Sequence, residues 1–100
     1  MKDFENIKNY SLSETTDLMN SDDYKDRFIA EYWQTKIRYE KLKDFCNKIE
    51  LANLDIMDEP NHDVPYGILR EQQRVMGEYL HVLELRAIIE GVELWKLKRN

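Results

Sequence analysis

Apolar side chains recur every three or four residues along most of the chain, the period of helices rather than strands. Neither Gly nor Pro interrupts the stretch from Ser21 to Glu59. Within it Phe28, Tyr32, Thr35, Tyr39, Leu42, Cys46 and Ile49 step at 4-3-4-3-4-3, the spacing of an a/d seam. Ile29, Trp33, Ile37 and Phe45 form a second apolar line beside it. Ser21 reads as the N-cap, and Asp22 and Asp23 then face the positive end of the helix dipole. The helix is expected to end between Glu50 and Asn53, and Leu54 to Asp63 reads as a connection rich in helix breakers. Asp63 is expected to cap a second helix with Pro65 in its first turn, where a missing N–H costs nothing. This helix runs from about Val64 to Glu90, or on to Lys98, and carries two stripes. One is Leu69, Met76, Leu80, Leu83 and Ala87; the other is Ile68, Val75, Tyr79, Val82 and Ile89. Gly91 reads as a stop or a kink, after which Val92, Leu94, Trp95 and Leu97 keep a helical spacing, with Lys96, Lys98 and Arg99 near the negative end. Ahead of everything, Met1 to Asn20 is weakly patterned: either a short helix over Ser13 to Met19, capped by Ser11 or Ser13, or disordered chain.

The predicted fold class is all-α: a short N-terminal helix or tail (1–20), then a hairpin of two long antiparallel helices (21–100). Two stripes on each helix offer more apolar surface than one hairpin contact covers. Uncovered patches of that kind mark interaction sites. A homo-oligomeric helical bundle is therefore expected.

Charge refines this picture. The formal total is -5 over 100 residues, which disfavours long nucleic acid as a partner, since backbone binding needs a basic surface. The distribution is uneven: Arg27 to Glu50 sums to +2 while Leu51 to Asp63 sums to -4. A local basic pocket for a small anion is compatible with that. The single cysteine, Cys46, excludes an internal disulfide and fits a reducing cytoplasm. A signal peptide and a membrane span are not expected.

No catalytic motif stands out, and no enzyme activity, metal or cofactor is expected. His62 and His81 read as a solvated loop residue and a helix-surface residue, and Cys46 as a buried structural thiol. Asp55, Asp58 and Glu59 lack the ligand spacing of a calcium loop. The informative feature is the mixing of aromatic and basic residues in the first long helix: Tyr32, Trp33 and Tyr39 among Arg27, Lys36, Arg38, Lys41, Lys43 and Lys48. Aromatic faces stack on nucleobases and cationic side chains meet phosphates. The same pattern also describes an aromatic core with a solvated charged face.

The segment Arg27-Phe-Ile-Ala-Glu31-Tyr32-Trp-Gln34-Thr-Lys-Ile-Arg38-Tyr-Glu-Lys41-Leu42-Lys-Asp-Phe45 resembles a pattern R-x-x-x-E-Y-x-Q-L-x-x-R-x-x-K-L-x-x-F. The segment Ile68-Leu69-Arg-Glu-Gln72-Gln-Arg-Val-Met76-Gly-Glu-Tyr79-Leu-His-Val-Leu83-Glu-Leu-Arg86 resembles L-L-x-x-Q-x-x-x-M-x-x-Y-x-x-x-L-x-x-R. Together they resemble a family of small bacteriophage proteins that includes the anti-CBASS cyclic-nucleotide sponges. These sequester the cyclic oligonucleotide signals of a bacterial anti-phage defence. Thr35 departs from the pattern, which has Leu there, and the N-terminal extension is long.

The resemblance implies a homo-oligomer, hexameric in the sponges, in the host cell cytoplasm, with ligand pockets between protomers. It implies that Tyr32 stacks on a base and that a residue further along meets phosphate, Lys48 or its neighbour Asn47. Arg86 matches the arginine of a separate cyclic-trinucleotide site. Trp33 and Lys36 complete the candidate set. The competing expectation is a helical oligomeric adaptor, a protein-interaction module with no nucleotide ligand.

Overall fold

A computed structural model describes residues 7–97. In chain order they form a short strand β1 (Ile7–Lys8), helix α1 (Leu12–Met19), helix α2 (Tyr24–Asn53), helix α3 (Tyr66–Glu90) and a short strand β2 (Lys96–Leu97). The two strands pair antiparallel, Ile7 opposite Leu97 and Lys8 opposite Lys96. Among the described residues the fold is all-α apart from this one pairing.

Each helix boundary has a local cause. Ser11 caps α1 through a complete capping box: its hydroxyl accepts from the Glu14 N–H at 3.2 Å, and the Glu14 carboxylate accepts from the Ser11 N–H at 2.9 Å. Of the two readings of this segment, the helical one holds from Leu12, while 1–6 lie outside the described residues. α2 starts two residues later than expected. Its cap is Asp23, whose carboxylate accepts from the Lys25 N–H at 2.9 Å. Ser21 instead stabilises the corner before it, accepting from the Asp23 N–H and donating to Asp26. At α3 the expected Asp63 cap gives way to Pro65, which stands at the cap position with extended backbone and no side-chain cap bond. α3 ends at Gly91, whose φ of 70° is left-handed. The helical spacing of Val92 to Leu97 does not continue the helix. The left-handed turn reverses the chain, and the segment runs back extended; Lys98 and Arg99 lie outside the described residues.

The core sits at one end of the hairpin. The first turns of α2 (Phe28, Ile29, Tyr32, Trp33) meet the last turns of α3 (Leu80, Leu83, Ala87), and the returning Val92 and Leu94 close over them. The Trp33 indole N–H donates to the Leu94 carbonyl at 2.5 Å, satisfying a buried donor and fastening the returning segment. Tyr10 and Leu18 pack from the α1 side. Towards the connection the contact thins to Cys46 and Ile49, both buried. There Glu50 accepts from the Tyr66 hydroxyl at 2.7 Å and from Arg70 at 2.5 Å, tying the two helices.

The stripes of α3 part company. Leu80, Leu83 and Ala87 are buried, with Leu69 and Met76 partly so. Ile68, Val75, Tyr79, Val82 and Ile89 are all exposed, Ile89 to 82%.

Two outcomes are expected. A Cβ at Gly91 would meet nothing within 4 Å, so Gly91→Ala acts through backbone conformation alone. It should cost about 1–2 kcal/mol in urea denaturation, whereas Gly67→Ala, inside α3 with equal room, should be neutral or slightly stabilising. Equal losses at the two positions would contradict the left-handed turn.

The second concerns the tie between Glu14 of α1 and Lys96 of β2. The Lys96 ammonium, then the Ser11 N–H, hold the Glu14 carboxyl down at about 2 from an ordinary 4.5. Because the folded value is depressed, the tie is fully present above the ordinary carboxylate range and is lost as pH falls towards about 2. Protection of the Lys8 and Lys96 amides, taken relative to the intrinsic exchange rate at each pH, should fall across that window in the native protein. In Lys96→Ala that protection should not change across the window.

Candidate ligand-binding site

The six candidate residues lie at different levels along the hairpin. Tyr32 is fully buried. Its ring meets Trp33 edge-on at 5.3 Å and Trp95 at 6.0 Å, and its hydroxyl donates to Glu84 at 2.5 Å. Burial first, and the Glu84 carboxylate second, push the phenol well above its usual value, so it stays a neutral donor. Trp33 is likewise enclosed. Lys36 is half-buried one turn on, its ammonium 5.8 Å from the centre of the Tyr39 ring. Arg86 lies on the exposed side of α3, its guanidinium 4.7 Å over the Phe28 ring while Nε donates to Glu90 at 2.8 Å. Asn47 and Lys48 are exposed far down α2, and Lys48 pairs with Asp44 at 3.3 Å. Sixteen residues of helix separate Tyr32 from Lys48, a rise of about 24 Å. Within one chain the two do not share a small ligand.

Side chains from both segments of the family pattern converge somewhere else. A cleft of about 590 Å³ opens between the end of α1, the upper half of α2 and the start of α3. Arg27, Glu31, Gln34 and Arg38 follow one another down one face of α2 at 4-3-4 spacing, and Gln72 faces them from α3. Met19, Leu42 and Met76 supply the apolar floor. Arg27 donates to the Ser21 carbonyl at 2.7 Å. Arg38 has no ion-pair or hydrogen-bond partner among the described residues. Glu31 accepts from the Tyr79 hydroxyl. Sequence reading counted Arg27 and Arg38 among the basic residues of this helix without grouping them. The available signal was a polar 4-3-4 row flanking the apolar seam.

Among the described residues no cluster of three His, Cys, Asp or Glu is arranged to hold a metal ion. Nor is any described helix long and apolar enough to cross a membrane. His62 is less solvated than expected: its ring nitrogens bond the Val64 carbonyl at 2.7 Å and Glu59 at 2.8 Å, and its ring meets Phe45 edge-on.

No curated protein and no solved structure matches the chain at a significant level. A family model does: the one described as Sequestin covers residues 22–89, from the corner before α2 to the last turn of α3. That span holds both long helices and almost the whole cleft, and the family's name describes the sponge-type sequestration that the two sequence segments imply. The chain belongs to the Sequestin family.

Proposed function

We propose that this protein binds and sequesters cyclic oligonucleotide second messengers, cyclic di- and trinucleotides of bacterial anti-phage defence, and releases them uncleaved. It would do so for a bacteriophage, in the cytoplasm of the host cell, as a homo-oligomer on the hexameric plan of the sponges. The observation that carries this reading is membership of the Sequestin family across both long helices.

The positions of the candidate residues support sites completed between copies. Tyr32 and Lys48 stand about 24 Å apart on one helix, so a ligand meeting both takes them from different copies. A surface for such pairing exists on α3. Ile68, Val75, Val82 and Ile89 recur every seventh residue and are all exposed. β-branched residues at that interval form a helix-pairing seam. A parallel neighbour would set Glu71 and Glu78 against their own copies, whereas an antiparallel one sets Glu71 near Arg86. Tyr32 itself is covered by Trp95. The Val92–Leu97 segment is therefore the part that moves aside when a base stacks there.

The adaptor reading draws on the same exposed face of α3. Ligand binding separates the two. Cyclic di- and trinucleotides should raise the melting temperature, because a ligand held only by the native state stabilises it. Mass spectrometry after denaturation should recover them intact. Cleaved product, or a flat thermal response across the series, would sink the sequestration reading. Lys48→Ala should weaken cyclic-dinucleotide binding about tenfold, the scale of one charge-assisted contact. Its melting temperature should hardly change, because the one ion pair of Lys48 among the described residues, with Asp44, is exposed.

Val82→Glu should dissociate the assembly into folded single chains in light scattering, since Val82 is half-exposed in the isolated hairpin. A wild-type chain that is already monomeric at micromolar concentration would remove the between-copy sites.

A further inference from the structure

Five arginines lie among the described residues, and they divide by helix. The three on α3 are each matched to a carboxylate: Arg70 to Glu50 at 2.5 Å, Arg74 to Glu71 and Glu78 at 2.7 Å, and Arg86 to Glu90 at 2.8 Å. The two on α2, Arg27 and Arg38, have no carboxylate partner among the described residues, and both line the cleft beneath α1. They are eleven residues apart, three turns of helix, or about 16 Å along the axis. Each side chain is long enough to reach inward from its own end.

We propose that this cleft is a binding site complete within one protomer, for a nucleotide carrying a phosphate at each end of its nucleoside body. It is distinct from the between-copy sites proposed above. The planar guanidinium forks of Arg27 and Arg38 match phosphate oxygens with two parallel N–H donors each. The Glu31 carboxylate lies between them, so a single central phosphate is repelled. A hydroxyl or exocyclic amine donating to Glu31 is accepted there. The Gln72 amide both donates and accepts, as a nucleobase edge requires, while Gln34, whose NH2 donates to Thr15 and to the Met19 sulfur, offers its carbonyl as an acceptor. Met19, Leu42 and Met76 give a pliable apolar floor for a base or ribose face, thioethers adapting to flat rings. The Tyr79 hydroxyl already donates to Glu31 and so sets the carboxylate's direction.

The test uses the full chain labelled with ¹⁵N and two probes, adenosine 3′,5′-bisphosphate and cyclic di-AMP, with AMP as the one-phosphate comparison. The bisphosphate should move the Nε–Hε signals of both Arg27 and Arg38 and bind at least tenfold more tightly than AMP. Arg38→Gln should lower that affinity about tenfold with an unchanged melting curve, because Arg38 makes no ion pair or side-chain hydrogen bond among the described residues. Arg27→Gln also loses the contact to Ser21, so its result is read only alongside its melting curve. Arginine signals that stay still, or equal binding of AMP and the bisphosphate, would overturn the proposal. Bisphosphate binding without cyclic di-AMP binding would keep this site and remove the sequestration reading. Cyclic di-AMP binding with both arginine signals unmoved, and no response to the bisphosphate, would do the reverse.

Discussion

A helix of 25 residues with apolar side chains on two faces needs two neighbours, and the hairpin supplies α3 with only one. α2 covers Leu80, Leu83 and Ala87, and the opposite row from Ile68 to Ile89 is left in water. Much else follows from this mismatch. The packed core is confined to one end, where α1 and the returning C-terminal segment add layers that the two long helices lack. At the other end, the Glu50–Tyr66–Arg70 cluster does with polar contacts what burial does elsewhere. Exposed groups of that kind contribute little each, so the connection end is the weaker half of the molecule.

The crowded end is organised by its aromatic rings. Trp33 is the hub: it meets Tyr32 and Trp95 edge-on, and its N–H holds the Leu94 carbonyl. Gly91 makes this possible by turning the chain through a left-handed conformation that other residues resist. The pairing of β1 with β2 and the Glu14–Lys96 contact then clamp the returning segment to α1. Three separate parts of the chain thus depend on one reversal after α3.

The long helices could be read from periodicity, because their burial follows the 3.6-residue repeat the sequence displays. The seam from Phe28 to Ile49 is the buried side of α2, and Leu80, Leu83 and Ala87 are the buried side of α3. What periodicity could not give was direction at the ends. Val92, Leu94 and Trp95 have helical spacing, yet a single left-handed glycine sends them back as extended chain, and spacing carries no information about the sign of φ. Ser21 and Asp23 are both good caps, and only the bond from the Lys25 N–H decides between them. The cleft was hidden for a related reason. Arg27 and Arg38 look like surface charge on a helix, and their relation to Gln72 and Met76 exists only once α3 lies alongside. Tyr32 and Lys48 sit in plain view in the sequence, but the rise of the helix holds them apart in any single copy.

Both tryptophans sit in the same aromatic cluster, their rings 5.9 Å apart. Indole emission from this protein therefore reports on one end of the hairpin only. Loosening of the acidic connection, with the Glu50 cluster beside it, would leave that optical signal untouched. An unfolding curve recorded by it would describe the stronger half of the molecule, while a probe of helix content would register the weaker half first.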